Sequence, residues 1–452
     1  MFRLANDKRL TVENLGCFID KHREIVQNRY NPLMDAYRTK YPIFSQKSKP
    51  NWKPDKRIAV NFAKYITDTM NGFFIGIPIK VLCDEDKRVA EYVEFLDSYN
   101  DQDDNNAELS KLCDIYGKGY ELYYVDEQAN IGITYVSPME AFFIYDDSVL
   151  ERPRYFVRLY KDSDEIIRGS VSDEQTVRYF TMEGGLHFLP EYEKVHGFEG
   201  VPASEYRENE EEIGIFEPVM TMINEYNEAI SEKANDVAYF ADAYLKILGA
   251  KLTKEELASL RDNRIINFDG SDSSSLIVEF LQKPNGDTTQ ENLLNRLEKL
   301  IFQISMVANI SDESFGSASG IALKYKLQAM SDLAMTKQRK FTSGMNRRYK
   351  LIFSNPVSGM KKDDWVKLSY QFTQNFPANL LEESQIAGNL AGITSKQTQL
   401  KVLSVVENVQ NEIDQIEKEQ DEDGYMTDYP TNRTVVEDVI LGESAETIES
   451  SG

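Results

Sequence analysis

Apolar residues recur at steps of three and four over two stretches in the second half of the chain. Leu293, Leu294, Leu297, Leu300, Ile301 and Ile304 fall on one face of a helix expected over Asn292 to Ala308. Leu323, Leu327, Met330, Leu333 and Ala334 rebuild the stripe in a second helix, which starts at Ile321 and runs to Phe353. Between them, Asn309-Ile-Ser-Asp-Glu-Ser-Phe-Gly-Ser-Ala-Ser-Gly320 breaks the period with two glycines and four serines, residues suited to loops, turns and N-caps. Upstream, Val219, Ile223, Tyr226, Ile230 and Val237, then Phe240, Tyr244, Leu245 and Leu248, predict a helix from Phe216 to Leu248. Pro218 sits in its first turn, where a missing N–H is tolerated. At about 1.5 Å per residue this helix would span about 50 Å, more than most globular domains require.

The first half reads as a helix, an arm and a sheet. Thr11 to Tyr37 is helical by pattern, with Leu15, Phe18, Ile19, His22, Ile25 and Val26 on one face and Pro32 interrupting near the end. His22 is expected to pack in the core, because no second His or Cys is placed to share a metal with it. Tyr41 to Pro54, with three prolines, is a linker or extended arm, which between copies of the chain would have somewhere to lie. Val60, Ala63, Ile66, Thr67 and Met70 fit a helix capped at Asn71-Gly72, and Gly76 and Pro78 end a strand-like run behind it. Asp101-Gln-Asp-Asp-Asn-Asn106 begins like a calcium loop but has Asn106 and Leu112 where Gly and a bidentate Glu are needed. It is expected to be a solvated loop ahead of a helix starting near Ala107 and ending at Gly117 or Gly119. Strands follow over Tyr120–Val125, Ile131–Val136, Ala141–Tyr145, Arg154–Tyr160, Glu165–Gly169, Thr176–Thr181 and Leu186–Leu189, spaced as in an antiparallel sheet. Val195 to Pro202 is a hinge by composition, leading through Glu208, Glu210, Glu211 and Glu212 to the long helix.

The segment from Gly249 to Gly286 reads as a small αβ insertion: a helix over Lys254–Arg261, then strand-like runs Arg264–Phe268 and Leu276–Leu281 joined by a polar turn. After Phe353, Trp365–Phe372 is strand-like, and Leu380–Leu390, Ser395–Val405 and Glu407–Gln420 are short helices. Asp421 to Gly452 is acidic, poor in large apolar residues and expected to be disordered.

Charge changes this picture more than composition does. The net charge is −24 over 452 residues, yet residues 324–367 carry eleven bases against three acids and residues 1–60 carry thirteen against six. Residues 405–452 hold fourteen acids and two bases. So acidic a chain is a poor static binder of nucleic acid, whose affinity comes from bases displacing counterions, but a few bases on a negative wall suit a polymer that must slide. Cys17, Cys83 and Cys113 show no paired spacing, so no disulfide framework or zinc site is expected. No secretory signal opens the chain and no window has the run of about eighteen apolar residues that a membrane span needs, so a cytoplasmic product is expected, without a membrane partner. P-loop, nucleophile-elbow, zincin and dinucleotide motifs are absent, and only His22, His187 and His196 could serve as histidine bases. Neither catalysis nor a cofactor is expected.

Ile310-Ser-Asp-Glu-Ser-Phe-Gly-Ser-Ala-Ser-Gly-Ile-Ala-Leu-Lys-Tyr-Lys-Leu327, followed by Lys337-Gln-Arg-Lys-Phe341 and Arg347-Arg-Tyr-Lys350, resembles the signature of portal proteins from long-tailed phages (siphoviruses) of Gram-positive hosts. Arg57 to Ile79, Tyr116 to Tyr124 and Ser137 to Asp146 agree in order, so the likeness covers roughly residues 10 to 420. It implies an α+β portal fold: an antiparallel-sheet wing over 1–215, stem helices over 216–248 and 287–308, and a small αβ clip over 249–286. A tunnel loop over 309–320, a long helix returning to the wing over 321–378 and a helical crown over 379–420 complete it. The tunnel loop would comprise Asn309, Ser311, Asp312, Glu313, Ser314, Phe315, Gly316, Ser317, Ser319 and Gly320, and would meet DNA sterically, since it offers no base. Lys324, Lys326 and Lys337 are the candidates for transient phosphate contact, and Arg261, Arg264, Asp269, Gly270 and Asp272 for the clip's partner surface. Resembling chains carry paired asparagines where this one has Glu208-Asn209, so no role is carried over to that turn.

The resemblance further implies a homo-oligomeric ring, a dodecamer, at the capsid portal vertex, assembled in the host cytoplasm. Its partners would be double-stranded DNA in the channel, terminase, the head-tail connector protein, and the major capsid and scaffolding proteins. Two other classes remain open on the sequence: an acidic cytoplasmic enzyme, and a scaffolding protein of capsid assembly.

Overall fold

The computed structural model describes residues 2–50, 53–241, 245–248, 277–280, 287–310, 323, 325–375, 380–403, 405–406 and 409–423. The chain divides into two units, residues 1–376 and 377–452.

In the first unit, Thr11 opens helix α1 (Val12–Ile25) with a capping box: its amide donates to Asn14 Oδ1 at 2.8 Å and its hydroxyl accepts from the Asn14 amide at 3.3 Å. The interruption expected at Pro32 takes the form of a π-helical turn, Val26–Tyr30, leading into α2 (Asn31–Tyr37). Widening the turn before the proline accommodates its missing N–H without ending the helix. Helix α3 (Phe62–Ile75) runs past the expected cap at Asn71-Gly72 and closes at Gly76. Phe73, Phe74 and Ile75, anticipated as strand, are buried helical residues, and packing decides the matter where a short apolar run is ambiguous.

Helix α4 (Lys87–Tyr99) was not anticipated, and α5 (Gln102–Tyr116) begins well before Ala107. Asp101 makes the sharp corner between them with φ 48°, and Gln102 and Asn106 are buried, so this stretch is a helix start inside the body and not a solvated loop. Gly117 ends α5 in the left-handed region at φ 83°, as its placement suggested.

The strands form two main sheets. One has the order β1-β5-β6-β7-β8-β9, comprising Phe2–Arg3, Ala141–Tyr145, Pro153–Lys161, Ile167–Ser172, Thr176–Thr181 and His187–Val195. Only the β1–β5 pair in it is parallel. The other is β10-β3-β4, comprising Ala203–Arg207, Lys118–Val125 and Ile131–Val136, and is antiparallel. Leu15 and Ile19 of α1 pack on Phe142, Ile144, Val157 and Val171 of the larger sheet. His22 is buried beside them and its Nε2 lies 2.8 Å from the Pro138 carbonyl, the packed role expected.

The segment expected to hinge is fastened instead. Phe198 and Val201 are buried, Ser354 Oγ accepts from the Glu199 amide at 3.0 Å, and Asn355 Nδ2 donates to the His196 carbonyl at 3.1 Å. Gly197 (φ 78°) and Gly200 (φ 125°) supply turns, not mobility.

The helix expected to reach Leu248 does not. After a short 3-10 turn at Glu217–Val219, helix α6 (Met220–Ala241) covers 22 residues, about 33 Å. Leu245–Leu248 is strand β11, antiparallel to β12 (Ile277–Phe280), so the apparent widening of the stripe marks a change of period. Helix α7 (Asp287–Ser305) starts and ends earlier than expected, and α8 (Gln328–Ser354) is the longest described element at 27 residues. Between Ser354 and β13 lies a 3-10 turn, Asp364–Lys367, where strand was expected; β13 (Ser369–Gln371) alone pairs, with β2 (Lys80–Leu82). The second unit contains helices α9 (Leu380–Asn389), α10 (Lys396–Leu400) and α11 (Val409–Asp423).

Candidate functional site

Helices α6 and α7 form an antiparallel hairpin. At one end Lys233 pairs with Glu291 and Gln290 Nε2 donates to Asp236 Oδ2 at 3.2 Å. At the other, Phe62 of α3 stands edge-on to Tyr226 at 5.0 Å and to Phe302 at 5.7 Å. Ile223 and Ile301 are buried in the main core of the body, and Leu294 is buried one turn from Gln290 and Glu291. Arg29 holds the hairpin's origin with two bonds to Glu217, at 2.7 and 2.8 Å.

The other flank of α6 carries a polar ladder. Asn227, Ser231 and Asn235, one turn apart, are buried under the extended strap 56–60. Asn227 Oδ1 accepts from the Val60 amide at 2.7 Å, and Ser231 Oγ accepts from the Ile58 amide and donates to the Ile58 carbonyl, each at 2.9 Å. Asn235 Oδ1 accepts from the Lys56 amide at 2.6 Å while its Nδ2 donates to the Lys56 carbonyl at 3.1 Å. The arm expected from its prolines therefore ends as a strap along this helix. The rungs were missed because they were sought as an apolar stripe; the signal was Asn-x-x-x-Ser-x-x-x-Asn continuing the face of Val219 and Ile223.

Helix α7 leads directly into the glycine-serine loop, and the loop's start is pinned. Met306 turns out of the helix at φ 60° and Val307 is buried. The Ala308 amide donates to Met330 Sδ at 3.2 Å, Asn309 Nδ2 to Glu298 Oε1 at 3.2 Å, and the Ile310 amide to Tyr65 Oη at 2.8 Å. Leu327 and Met330, at the start of α8, are buried in the same core. Ser311, Asp312, Glu313, Ser314, Phe315, Gly316, Ser317, Ser319, Gly320 and Lys324 lie outside the described residues, as do Arg261, Arg264, Asp269, Gly270 and Asp272.

Helix α8 was expected to turn its bases to solvent, and two of them point inward. Lys337 is fully buried, with Nζ 2.6 Å from Asp114 Oδ1, 3.1 Å from Glu208 Oε2 and donating to the Ser110 carbonyl at 3.2 Å. A phosphate cannot reach this ammonium, so Lys337 is removed from the set of DNA-contacting candidates. Its alternation with apolar neighbours allowed either assignment, and two acids on the facing elements decide it. Burial opposes its charge, but Asp114 and Glu208 outweigh that and raise its pKa. Burial pushes Asp114 well above the usual carboxylate range; Lys337 pulls it back and Glu208 pushes it further.

Arg348, about three turns further on, is also fully buried. Its Nε and a terminal nitrogen each donate to Glu121 at 2.8 Å, and the same terminal nitrogen donates to Asn106 Oδ1 at 2.7 Å. Tyr123 and Tyr206 hydroxyls complete the shell of Glu121 at 2.7 and 3.0 Å. Gly344 lets α8 approach this site: a Cβ there would come within 2.5 Å of the Tyr206 ring. Arg347 donates to the Ala203 carbonyl at 3.0 Å. Of the DNA candidates only Lys326 is described and exposed.

Among the described residues no group of three or more His, Cys, Asp or Glu could hold a metal, and no helix is long and apolar enough to cross a membrane. What the arrangement offers is mechanical: a hairpin and a long helix meeting a braced loop, on a body locked by buried ion pairs.

Residues 18–425 match the family "Phage portal protein, SPP1 Gp6-like", and the chain belongs to it. It is 23% identical over 418 residues to the "Portal protein" of Bacillus phage SPP1, covering 87% of this chain and 82% of that one. It is 22% identical over 404 residues to the "Portal protein" of Clostridium phage phiCD119, covering 82% and 87%. Among solved structures, a chain of "Neck of empty GTA particle computed with C6 symmetry" superposes with a TM-score of 0.47 at 9% identity, over 75% of this chain and 89% of that one. The function is that of a phage portal protein, and the fold is mixed α and β.

Proposed function

We propose that this chain assembles as a ring of about twelve copies at the capsid portal vertex, whose channel passes double-stranded DNA inward during packaging and outward at ejection. The single observation that favours this reading is the pinned start of the loop, where Tyr65, Glu298 and Met330 brace residues 308–310 at the junction of α3, α7 and α8. A loop held rigidly at its root can project into a channel and still keep its place against a moving polymer. In this assignment residues 1–215 with the returning segment 321–378 form the wing, α6 and α7 the stem, 249–286 the clip, 309–320 the tunnel loop and 379–420 the crown. The clip would dock terminase and later the head-tail connector, and the ring would meet the major capsid and scaffolding proteins. The chain does no catalysis in this scheme; a separate ATPase supplies the work.

Lys324 and Lys326 are then the bases beside the tunnel loop for transient phosphate contact. Replacing both by Ala should lower the yield of packaged DNA and leave ring assembly unchanged; normal yield would overturn the assignment. Deleting Gly270 to Ser275 should weaken terminase or connector docking more than oligomerisation, and a deletion mutant that docks normally would refute the clip.

A further inference from the structure

The aliphatic residues of α7 do not share one environment. Leu294 and Ile301 are buried, whereas Leu293 is 51% and Ile304 45% exposed, with Leu297 and Leu300 half-buried between them. Leu293, Leu297, Leu300 and Ile304 follow steps of four, three and four, the spacing of a coiled-coil seam. α6 joins α7 through Gln290 and Glu291, on the Leu294/Ile301 side, so this seam has no partner helix among the described residues. Arg296 flanks it and Lys299 stands further round the same side of the helix, both exposed and without an ion pair among the described residues.

The outward face of α6 repeats the same spacing with different chemistry. Thr221, Glu225, Glu228 and Glu232 are exposed at steps of four, three and four, and Glu225 and Glu228 have no ion pair among the described residues. Ile58 and Phe44, from the strap and arm that run beside α6, are also exposed.

We propose that this seam is an interface between copies: α7 of one copy lays Leu293, Leu297, Leu300 and Ile304 against the α6 flank of the next. Arg296 and Lys299 meet Glu225 and Glu228 across it. The occupant is a second copy of this chain, and the charges fix which face it presents. Seam against seam would set Arg296 and Lys299 of one copy against the same bases of the other. Seam against α6 matches opposite charges. It uses two different surfaces, so it propagates from copy to copy and closes only as a ring. The proposal rests on the ring reading above and adds the faces that make it.

The test uses the full chain, with mass by light scattering and folding by thermal melting. Arg296→Glu with Lys299→Glu, and separately Leu293→Ser with Ile304→Ser, should each reduce the mass from that of a multi-subunit particle to that of one chain, with an unchanged melting transition. Adding Glu225→Lys and Glu228→Lys to the first pair should restore the large mass. If the reversed-charge and serine variants keep the wild-type mass, this interface is wrong and the ring stands. Dissociation without rescue by the second reversal refutes the pairing of α7 with α6. A wild-type chain that stays folded and monomeric at high concentration overturns the ring and the interface together.

Discussion

The bases of α8 and those of α7 are alike in type and opposite in surroundings. Lys337 and Arg348 have no exposure, and their counter-charges come from Asp114, Glu208 and Glu121 of the same chain. Arg296 and Lys299 stand in solvent with no partner among the described residues. These two sites are completed within one copy, because a buried charge without its partner costs several kcal/mol and cannot be left for a later step. The hairpin can wait, since an exposed charge is hydrated until something covers it.

The sharpest way to break this comparison is Arg348→Met. It strands Glu121 among Tyr123, Tyr206 and Gln102, and should cost about 3–5 kcal/mol in urea unfolding, whereas Arg296→Met should stay within about 0.5 kcal/mol. Equal effects would show that burial on α8 has no energetic meaning. Lys337→Met should cost less, about 1–3 kcal/mol, because burial already pushes Asp114 toward its neutral form.

The same pair predicts a pH dependence. Asp114 is held above its ordinary value of 3.8 in the folded chain, so the unfolded chain releases that proton first as pH rises. Its contribution is greatest below about pH 4 and is lost as pH climbs from there toward the folded value. Asp114→Asn should flatten that decline, seen as urea midpoints that change less between mildly acidic and neutral pH than in the wild type. An unchanged slope would assign the decline to other groups. The smallest effect expected is that of Asn235→Ala, about 1 kcal/mol, with faster hydrogen exchange at the Lys56 amide while the Ile58 amide, held by Ser231, keeps its protection. Loss of protection at both would mean that the strap opens as one unit.

Much of the sheet was legible in the sequence. Ile131–Val136, Ala141–Tyr145 and Thr176–Thr181 occupy the residues their alternation marked, because turn residues delimit them on both sides. Errors concentrate where tertiary contacts outvote local pattern. Phe73 to Ile75 look like strand and are helix, and Leu245 to Leu248 look like helix and pair as strand. The charged residues misled most. Lys337 has the same neighbours in sequence whether it points to water or to Asp114, and only the facing helix distinguishes the two. Glu208, in the turn to which the resemblance carried no role, is one of that lysine's acids. The loop itself was legible by composition, but its braces Tyr65 and Met330 come from distant segments that no local period could connect to it.

The strap along α6 has a built-in limit. Alternate residues of an extended chain advance about 6.6 Å, while one turn of side chains at four-residue spacing advances about 6.0 Å. Each rung after the first is therefore displaced by a further ~0.6 Å, and the two scales behave as a vernier, coinciding over only a few divisions. Three rungs, at Asn227, Ser231 and Asn235, come close to what such a mismatch permits before a fourth bond would stretch. A slip of the strap by two residues would have to exchange an asparagine's donor and acceptor for a serine's single hydroxyl. The order Asn, Ser, Asn thus acts as an index mark, setting where along the helix the preceding arm must lie.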